Sequence, residues 1–306
     1  MSLKSNKILL IGGNGFLGSH LIDFLLLNNT VRVLSRSTEK YRTPNLLVDY
    51  RIGNYTDLDF LNSALQGIDI VIHLVSSSIP STSNDNCVLD IESNLIGSVK
   101  LLNAMKKNDC KKIIFISSGG TVYGNPTIVP TPENVELKPI CSYGINKVAI
   151  ENYIYMFHKL HNFDYLILRV SNLYGTRQNN EGAQGLINTL MNKIGNQEEI
   201  TIWGDGNVTR DFIYVEDLCN LIQKAITKNI NGIFNAGSGI GYSVNEIIDL
   251  ISETIEVSPK INKVEGRSFD VEKNILDVSK AFEMFNWKTN IDLKAGIEIM
   301  WKEKNK

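Results

Sequence analysis

A strand-turn-helix pattern close to the N-terminus constrains this chain more than any other feature. The apolar residues 8–11 have the length and β-branched content of a buried strand, and a helical pattern begins at Phe16. Gly12 permits a tight turn, Gly15 lets a pyrophosphate approach the backbone, and Gly18 lets the helix pack closely. Since free amides at a helix N-terminus bind phosphate, the pattern predicts a dinucleotide-binding loop.

The alternation of strands and helices continues through the first half of the chain. Strands are predicted over residues 31–34, 46–52, 70–75, 113–116 and 165–170, and helices over 57–65, 88–107 and 143–161. This spacing is typical of right-handed crossovers in a parallel sheet, where ligands bind beyond the carboxyl ends of the strands. The predicted fold class is therefore α/β, with a Rossmann-type doubly wound parallel sheet.

The regular alternation is lost from about residue 175. Loops at 179–185, 203–210, 236–243 and 263–272 separate shorter elements, and loops of this kind commonly carry a substrate site. We therefore predict a dinucleotide-binding domain over residues 1–174 and a smaller α/β lobe over residues 175–306. The boundary is approximate, and segments of the second half could rejoin the sheet.

Composition excludes several other classes of protein. Hydrophobic residues make up 43% of the 306 residues, and a net charge of −2 argues against a nucleic-acid binder with a basic stripe. No apolar run reaches the roughly 18 residues that span a membrane, and residues 1–6 lack the apolar core of a signal peptide. The four cysteines and four histidines show no metal-ligand spacing, so we predict no metal and a reducing cytoplasm.

Tyr143 and Lys147 are the first candidates for chemistry. They lie one helical turn apart, and a neighbouring cation lowers the pKa of a phenol, which suits general acid/base catalysis. This spacing also arises by chance as an ordinary surface pair. Asp85, Asp90 and Glu92 are interpreted as charges at a helix start rather than as an acid/base site.

Taken together, several stretches resemble the extended short-chain dehydrogenase/reductase family, and within it the NAD-dependent epimerase/dehydratase group, most similar to UDP-sugar 4-epimerases. In chain order they are GGNGFLG (12–18), VIHLV (71–75), SNLIGSVKLL (93–102), FISSGGTVYG (115–124), YGINK (143–147), RVSNLYG (169–175), RDFIYVEDL (210–218) and the region 267–280. The resemblance implies a Rossmann domain, a nicotinamide cofactor, a nucleotide-diphosphate sugar as partner and hydride transfer at a sugar carbon.

The resemblance also implies roles for individual residues. Tyr143 would be the acid/base, and Lys147 would lower its pKa and bind the nicotinamide ribose. The other cofactor-binding candidates lie along the Rossmann half: Gly12, Gly15, Phe16, Leu17, Gly18, Ser35, Arg36, Asn54, Tyr55, Leu74, Val75 and Asn94. The substrate-binding candidates are Asn172, Arg210, Arg267, Asp270 and Asn274, with the two arginines holding the diphosphate.

The chain departs from the family pattern at the usual catalytic hydroxyl. Family members carry Ser or Thr where this chain has Gly119. Hydroxyls remain nearby, and we predict that Thr121, or as the second choice Ser118, takes the role of binding the substrate oxygen. The alternative is that Tyr143 works without a partner hydroxyl.

A second departure concerns the cofactor. An acidic side chain after the second strand would bind the adenosine ribose of NAD, but this chain has Ser35 and Arg36 there. Because arginine pairs with a 2′-phosphate, the residues lean slightly towards NADP over NAD.

The predicted function is nucleotide-sugar 4-epimerisation through a 4-keto intermediate. Dehydration and decarboxylation are disfavoured because Gly120 and Thr121 stand where those branches carry titratable groups. An NADPH-dependent 4-ketoreductase and a non-catalytic dinucleotide-binding relative remain alternatives. The modest volume of Asn274 predicts that N-acetylated sugars can enter. By resemblance, the helices over 88–107 and 143–161 would pair across a two-fold axis in a homodimer.

Overall fold

A seven-stranded sheet organises the first half of the protein. The computed structural model describes residues 5–178, 185–228, 230–266 and 271–305. The strand order is β10-β6-β5-β4-β1-β2-β3, and the strands are β1 (Lys7–Ile11), β2 (Thr30–Ser35), β3 (Val48–Ile52), β4 (Ile70–His73), β5 (Lys112–Ser118), β6 (Asp164–Val170) and β10 (Gly232–Ala236). Neighbouring strands from β5 through β4, β1 and β2 to β3 are parallel. The predicted α/β class is confirmed.

Most of the helices in this part of the chain bury an apolar face, because their apolar residues recur with helical spacing. The helices are α1 (Phe16–Leu25), α2 (Leu58–Leu65), α3 (Cys87–Asp90), α4 (Gly97–Lys107), α5 (Ser142–His161) and α7 (Val215–Thr227). A π-helical segment (Ile91–Ile96) joins α3 to α4, so the predicted helix over 88–107 is continuous but changes its winding. Leu101, Phe115 and Ile154, from α4, β5 and α5, belong to one buried cluster.

The remaining elements form smaller sheets and their covering helices. β9 (Thr209–Tyr214) pairs with β7 (Asn172–Tyr174), β11 (Gly241–Ser243) and β13 (Lys273–Asn274), and β8 (Glu199–Trp203) pairs in parallel with β12 (Lys260–Val264). The helices here are α6 (Leu186–Gly195), α8 (Val244–Ile255), α9 (Ser279–Phe285) and α10 (Leu293–Lys304).

The chain divides into two compact units whose segments alternate along the sequence. The first comprises Met1–Val122, Pro139–Arg169 and Cys219–Phe234, and the second comprises Tyr123–Lys138, Val170–Leu218 and Asn235–Lys306. Strand β10, from the second half of the chain, lies at the edge of the large sheet. None of the helices in the described ranges is long and apolar enough to cross a membrane.

Candidate functional site

The glycine-rich loop between β1 and α1 is shaped by close backbone approaches. Gly12 has a φ of +86°, and a Cβ there would lie 2.8 Å from Cγ2 of Val75. A Cβ on Gly18 would lie 2.2 Å from the carbonyl oxygen of Gly13, so the helix can begin against the loop only with glycine at this position. The nearest atom to a Cβ on Gly15 would be the carbonyl oxygen of Gly12, at 3.3 Å.

The start of α1 has the features of a phosphate-binding terminus. No side chain in the described ranges caps this helix, so its first-turn amides remain available, whereas Asp57 caps α2 with two hydrogen bonds. Asn14 in the loop donates from Nδ2 to the carbonyl oxygen of Ser37 at 2.7 Å. Its Oδ1 is buried without a partner in the part of the chain that the structure describes. These residues therefore fit a dinucleotide.

The other predicted cofactor residues occupy the ends of the neighbouring strands. Ser35 ends β2 and accepts a hydrogen bond from the amide of Gly53, and Arg36 is exposed. Asn54 caps a local turn by accepting from the amide of Thr56. Tyr55 is buried, and its hydroxyl donates to the carbonyl oxygen of Ser93. Burial raises the pKa of Tyr55 to about 12, although the charge of Arg36 opposes this.

The first two turns of α5 bring Tyr143 and Lys147 together, as the sequence predicts. Nζ of Lys147 donates to the carbonyl oxygen of Ile116 at 2.8 Å. The same ammonium lies 4.8 Å from the ring centroid of Phe115 and 5.4 Å from that of Tyr143. Lys147 is only 5% exposed, so its charge is held away from bulk water by β5 and its own helix.

The pKa values of this pair shift in opposite directions, that of Tyr143 upward and that of Lys147 downward. Burial raises the pKa of Tyr143 to about 12, against hydrogen bonds to the side chains of Ser76 and Ser118 that lower it. Desolvation of the phenolate therefore outweighs these hydrogen bonds, and the effect of Lys147 on the pKa of Tyr143 stays a prediction. Burial also lowers the pKa of Lys147 to about 8, while the charges of Glu151 and Asp90 raise it.

Of the two hydroxyls predicted to bind the substrate oxygen, the structure places Ser118 against the phenol of Tyr143, and their role in binding substrate stays a prediction. Ser118, the second choice, hydrogen-bonds to Tyr143. Oγ1 of Thr121 is buried with no partner among the described residues. Ser76 is a hydroxyl that the sequence analysis missed, and it also hydrogen-bonds to Tyr143. A signal was present: the run Ser76-Ser77-Ser78 lies just beyond the carboxyl end of β4, where ligands bind in this fold.

Asp90 is the second residue that sequence reasoning missed. It was interpreted as a helix-start charge, but it is 3% exposed. Its Oδ2 accepts from Oγ of Ser142 at 2.7 Å and from Nδ2 of Asn146 at 2.8 Å. Its Oδ1 accepts from Nδ2 of Asn94 at 2.6 Å and from the hydroxyl of Ser78. The spacing of Asp90 and Asn94, four residues apart on one helical stretch, was the available signal.

The predicted substrate residues in the second unit have local partners. Arg210 donates from Nη1 to the carbonyl oxygens of Thr209 and Val271, and Asn172 donates to the carbonyl oxygen of Asp211. Asn274 is buried and pairs with Arg210 in the register of β13 and β9. Arg267 and Asp270 lie outside the described residues.

Asp211, which follows Arg210 in the chain, is a buried carboxylate rather than a surface charge. It is fully buried and accepts hydrogen bonds from the amides of Ser238, Gly239 and Leu276.

As for metals, the described ranges contain no group of three His, Cys, Asp or Glu side chains that could hold an ion.

Comparison with known proteins supports the same assignment of family. The model of the NAD dependent epimerase/dehydratase family matches residues 8–237. A Methanocaldococcus jannaschii protein, provisionally named UDP-glucose 4-epimerase, is 36% identical over 97% of this chain and 99% of its own length. The crystal structure of Thermotoga maritima UDP-glucose 4-epimerase with UDP-glucose is 32% identical, with a TM-score of 0.93 over 98% of this chain and 100% of that one.

A relative with a different reaction is also similar. The Escherichia coli dTDP-4-dehydro-6-deoxyglucose reductase is 32% identical over 99% of this chain and 98% of its own length. The matching family is described as NAD dependent, so the lean towards NADP that Ser35 and Arg36 suggested finds no support in these comparisons.

Proposed function

Because the chain belongs to the NAD-dependent epimerase/dehydratase family, we propose that it is a nucleotide-sugar 4-epimerase acting on a UDP-hexose or UDP-N-acetylhexosamine. The observation that carries the proposal is the Tyr143–Lys147 pair: the buried ammonium lies 5.4 Å from the centroid of the phenol ring, and two serine side chains act on the phenol. This arrangement offers a phenol that can exchange a proton, a fixed cation and polar groups that can bind a sugar hydroxyl.

The glycine loop, the uncapped start of α1 and Lys147 would hold the NAD. When bound, NAD supplies a site that accepts and returns a hydride at the sugar C4. Tyr143 would remove the proton from the 4-hydroxyl and return it to the 4-keto oxygen once the hexose has turned its opposite face. Ser118 and Ser76, both hydrogen-bonded to Tyr143, would orient the phenol and the sugar oxygen.

The substrate's diphosphate would bind Arg210 and Arg267, since guanidinium groups suit phosphate oxygens. If the diphosphate is held firmly, the hexose can turn between the oxidation at C4 and the reduction that follows. We expect Arg210→Gln to raise the KM for UDP-glucose more than it lowers kcat. An unchanged KM would remove Arg210 from this role.

The decisive assay is the interconversion of UDP-glucose and UDP-galactose, alongside the two N-acetylated sugars. Tyr143→Phe removes the hydroxyl alone, and we expect turnover to fall by about 10²- to 10⁴-fold. Tyr153→Phe is the matched control, because Tyr153 lies on the same helix and is 38% exposed. Equal activity of both variants would refute the proposed role of Tyr143.

The same assay tests the prediction from Asn274 that N-acetylated sugars can enter. That prediction is refuted if UDP-glucose turns over and UDP-N-acetylglucosamine does not react.

The pH dependence follows from the pKa of Lys147. The lysine is protonated below about pH 8, so its charge is lost as the pH rises through that value. We therefore expect kcat/KM for the sugar nucleotide to fall above about pH 8. A plateau that extends to pH 10 would show that the ammonium is not required.

A nucleotide-4-keto-sugar reductase is the second candidate, favoured by the similarity to the Escherichia coli reductase. A reductase must exchange its cofactor in every cycle, whereas an epimerase regenerates it. Nicotinamide dinucleotide retained through gel filtration, with no net oxidation during turnover, would support the epimerase. Stoichiometric consumption of reduced cofactor with a 4-keto sugar would support the reductase, and titration with NAD and NADP would identify the cofactor.

The chain also carries exposed apolar side chains on the helices predicted to pair in a homodimer. Val88, Leu89 and Ile91 lie on α3 and the π-helical segment, and Ile145 lies on α5. Their exposure supports the proposal of a dimer. Light scattering that gives the mass of one chain would contradict it.

Residence in the cytoplasm remains part of the proposal.

A further inference from the structure

We propose that Asp90 is a positioning residue, whose buried carboxylate ties the first turns of the helix carrying Tyr143 to the loop carrying Ser76. The inference rests on the proposed function, because it names a residue that acts through Tyr143 and Lys147. The helix side of the tie consists of Ser142 and Asn146, which flank Tyr143 along α5.

The loop side of the tie is formed by Asn94 and the serines that follow β4. Ser78 donates its hydroxyl to Asp90, and the amide of Ser77 donates to Oδ1 of Asn94 at 2.9 Å. Ser76 donates from Oγ to the carbonyl oxygen of Ser78 at 3.0 Å, which fixes the hydroxyl that meets Tyr143. One carboxylate therefore sets the relative positions of the phenol and the loop.

The donor set requires an acceptor-only group at this position. Asn94 must present its amide NH2 to Asp90, because its Oδ1 already accepts from Ser77. Asn146 presents a second NH2 to the other carboxylate oxygen. The amide of an Asp90→Asn variant would have to direct its own NH2 at one of these two donors. The variant thus keeps the shape but breaks one side of the tie.

The charge of Asp90 acts on both groups of the proposed acid/base pair. It raises the pKa of Lys147, together with Glu151, and it raises the pKa of Tyr143, on which Cys141 acts in the same direction. His73 also faces Lys147, and burial lowers its pKa to about 3, so it stays neutral and adds no charge. Removing the carboxylate should therefore lower the pKa of both Tyr143 and Lys147.

The test compares Asp90→Asn with Glu92→Gln, an exposed acid on the same helical stretch. For Asp90→Asn we expect kcat for UDP-glucose to fall at least about tenfold with KM little changed, because the phenol is misplaced. The fall of kcat/KM above about pH 8 should move to lower pH. Glu92→Gln should match the wild type in both measurements. A reduced kcat with an unmoved profile would indicate a merely structural role and overturn the proposal.

A second readout does not depend on activity. In protein labelled with ¹⁵N-lysine, the Nζ resonance of Lys147, assigned by its loss in Lys147→Arg, reports its titration. We expect its midpoint to be lower in Asp90→Asn and unchanged in Glu92→Gln. An unchanged midpoint in Asp90→Asn would overturn the proposal even if the chain proves not to be an epimerase. A shifted midpoint in a protein without epimerase activity would instead contradict the proposed function alone.

Ser142→Ala covers the case in which Asp90→Asn fails to fold. It removes one donor from the tie and keeps the carboxylate, so kcat should fall while the Lys147 midpoint stays at its wild-type value. Wild-type kcat in this variant would show that the tie does not position Tyr143.

Discussion

Two buried aspartates, one in each compact unit, solve the same physical problem in different ways. Counting donors among the described residues, the carboxylates of Asp90 and Asp211 each accept four hydrogen bonds. All donors to Asp90 are side chains, whereas three of the donors to Asp211 are backbone amides. A buried backbone amide cannot rotate towards another acceptor when its partner is removed. A carboxylate that binds such amides therefore fixes the course of the chain. A carboxylate that binds side chains can instead set the positions and the pKa values of the groups in a site.

The surroundings of the two aspartates reinforce this difference. A Cβ on Gly237 would lie 2.4 Å from Oδ2 of Asp211, so the chain packs directly on that carboxylate. Burial raises the pKa of Asp211, and the hydrogen bonds oppose this. Asp90 faces two groups of the proposed acid/base pair, Tyr143 and Lys147. Asp211 is therefore expected to control stability, and Asp90 to control catalysis.

The largest effect is expected from Asp211→Ala. The substitution leaves three buried amides without partners, at about 1–3 kcal/mol each, so the free energy of unfolding should fall by roughly 3 kcal/mol or more. Urea denaturation followed by circular dichroism measures this loss. Asp249→Asn, on the exposed face of α8, is the control and should leave the midpoint unchanged. A loss below about 1 kcal/mol for Asp211→Ala would break the contrast between the two aspartates.

Glu151→Gln should change both the stability of the protein and the pH dependence of its activity. Glu151 forms a buried ion pair with Arg169, at 2.7 Å, and accepts from Oγ of Ser117. Breaking a buried pair costs about 3 kcal/mol, since the remaining guanidinium stays desolvated. The loss of negative charge also lowers the pKa of Lys147, so kcat/KM should decline at a lower pH than in the wild type. If the variant loses stability but its pH profile does not shift, Glu151 has a structural role like that of Asp211.

Asp90→Ala should cost less stability than either substitution, about 1–2 kcal/mol, because Ser78 and Ser142 can rotate their released hydroxyls towards other acceptors. The same denaturation experiment measures it. A loss as large as that of Asp211→Ala would place Asp90 among the residues that hold the fold, and its effect on kcat could then no longer be read as positioning.

The sequence predicted the fold well because its signals are local. The β1–α1 glycine pattern and the periodicity of the first six strands set the Rossmann architecture, and only the return of β10 to the sheet edge required long-range information. The Tyr143–Lys147 pair was predictable for the same reason, being one helical turn apart. The partners of Asp90 could not be read in this way, because they come from positions 78, 94, 142 and 146 and meet only when the sheet is folded.

The hydroxyl next to Tyr143 gives the smallest and most discriminating prediction. Ser118 hydrogen-bonds to the phenol, whereas Oγ1 of Thr121 has no partner in the described part of the chain. Ser118→Ala should therefore lower kcat for UDP-glucose about tenfold, and Thr121→Ala less than about twofold. Steady-state kinetics on the two variants, with Ser76→Ala as the third, separates the candidates. A tenfold loss in Thr121→Ala alone would restore the choice that the sequence favoured. Wild-type kcat in all three would mean that Tyr143 acts without a hydroxyl partner, and that the loop tied by Asp90 serves only to shape the pocket.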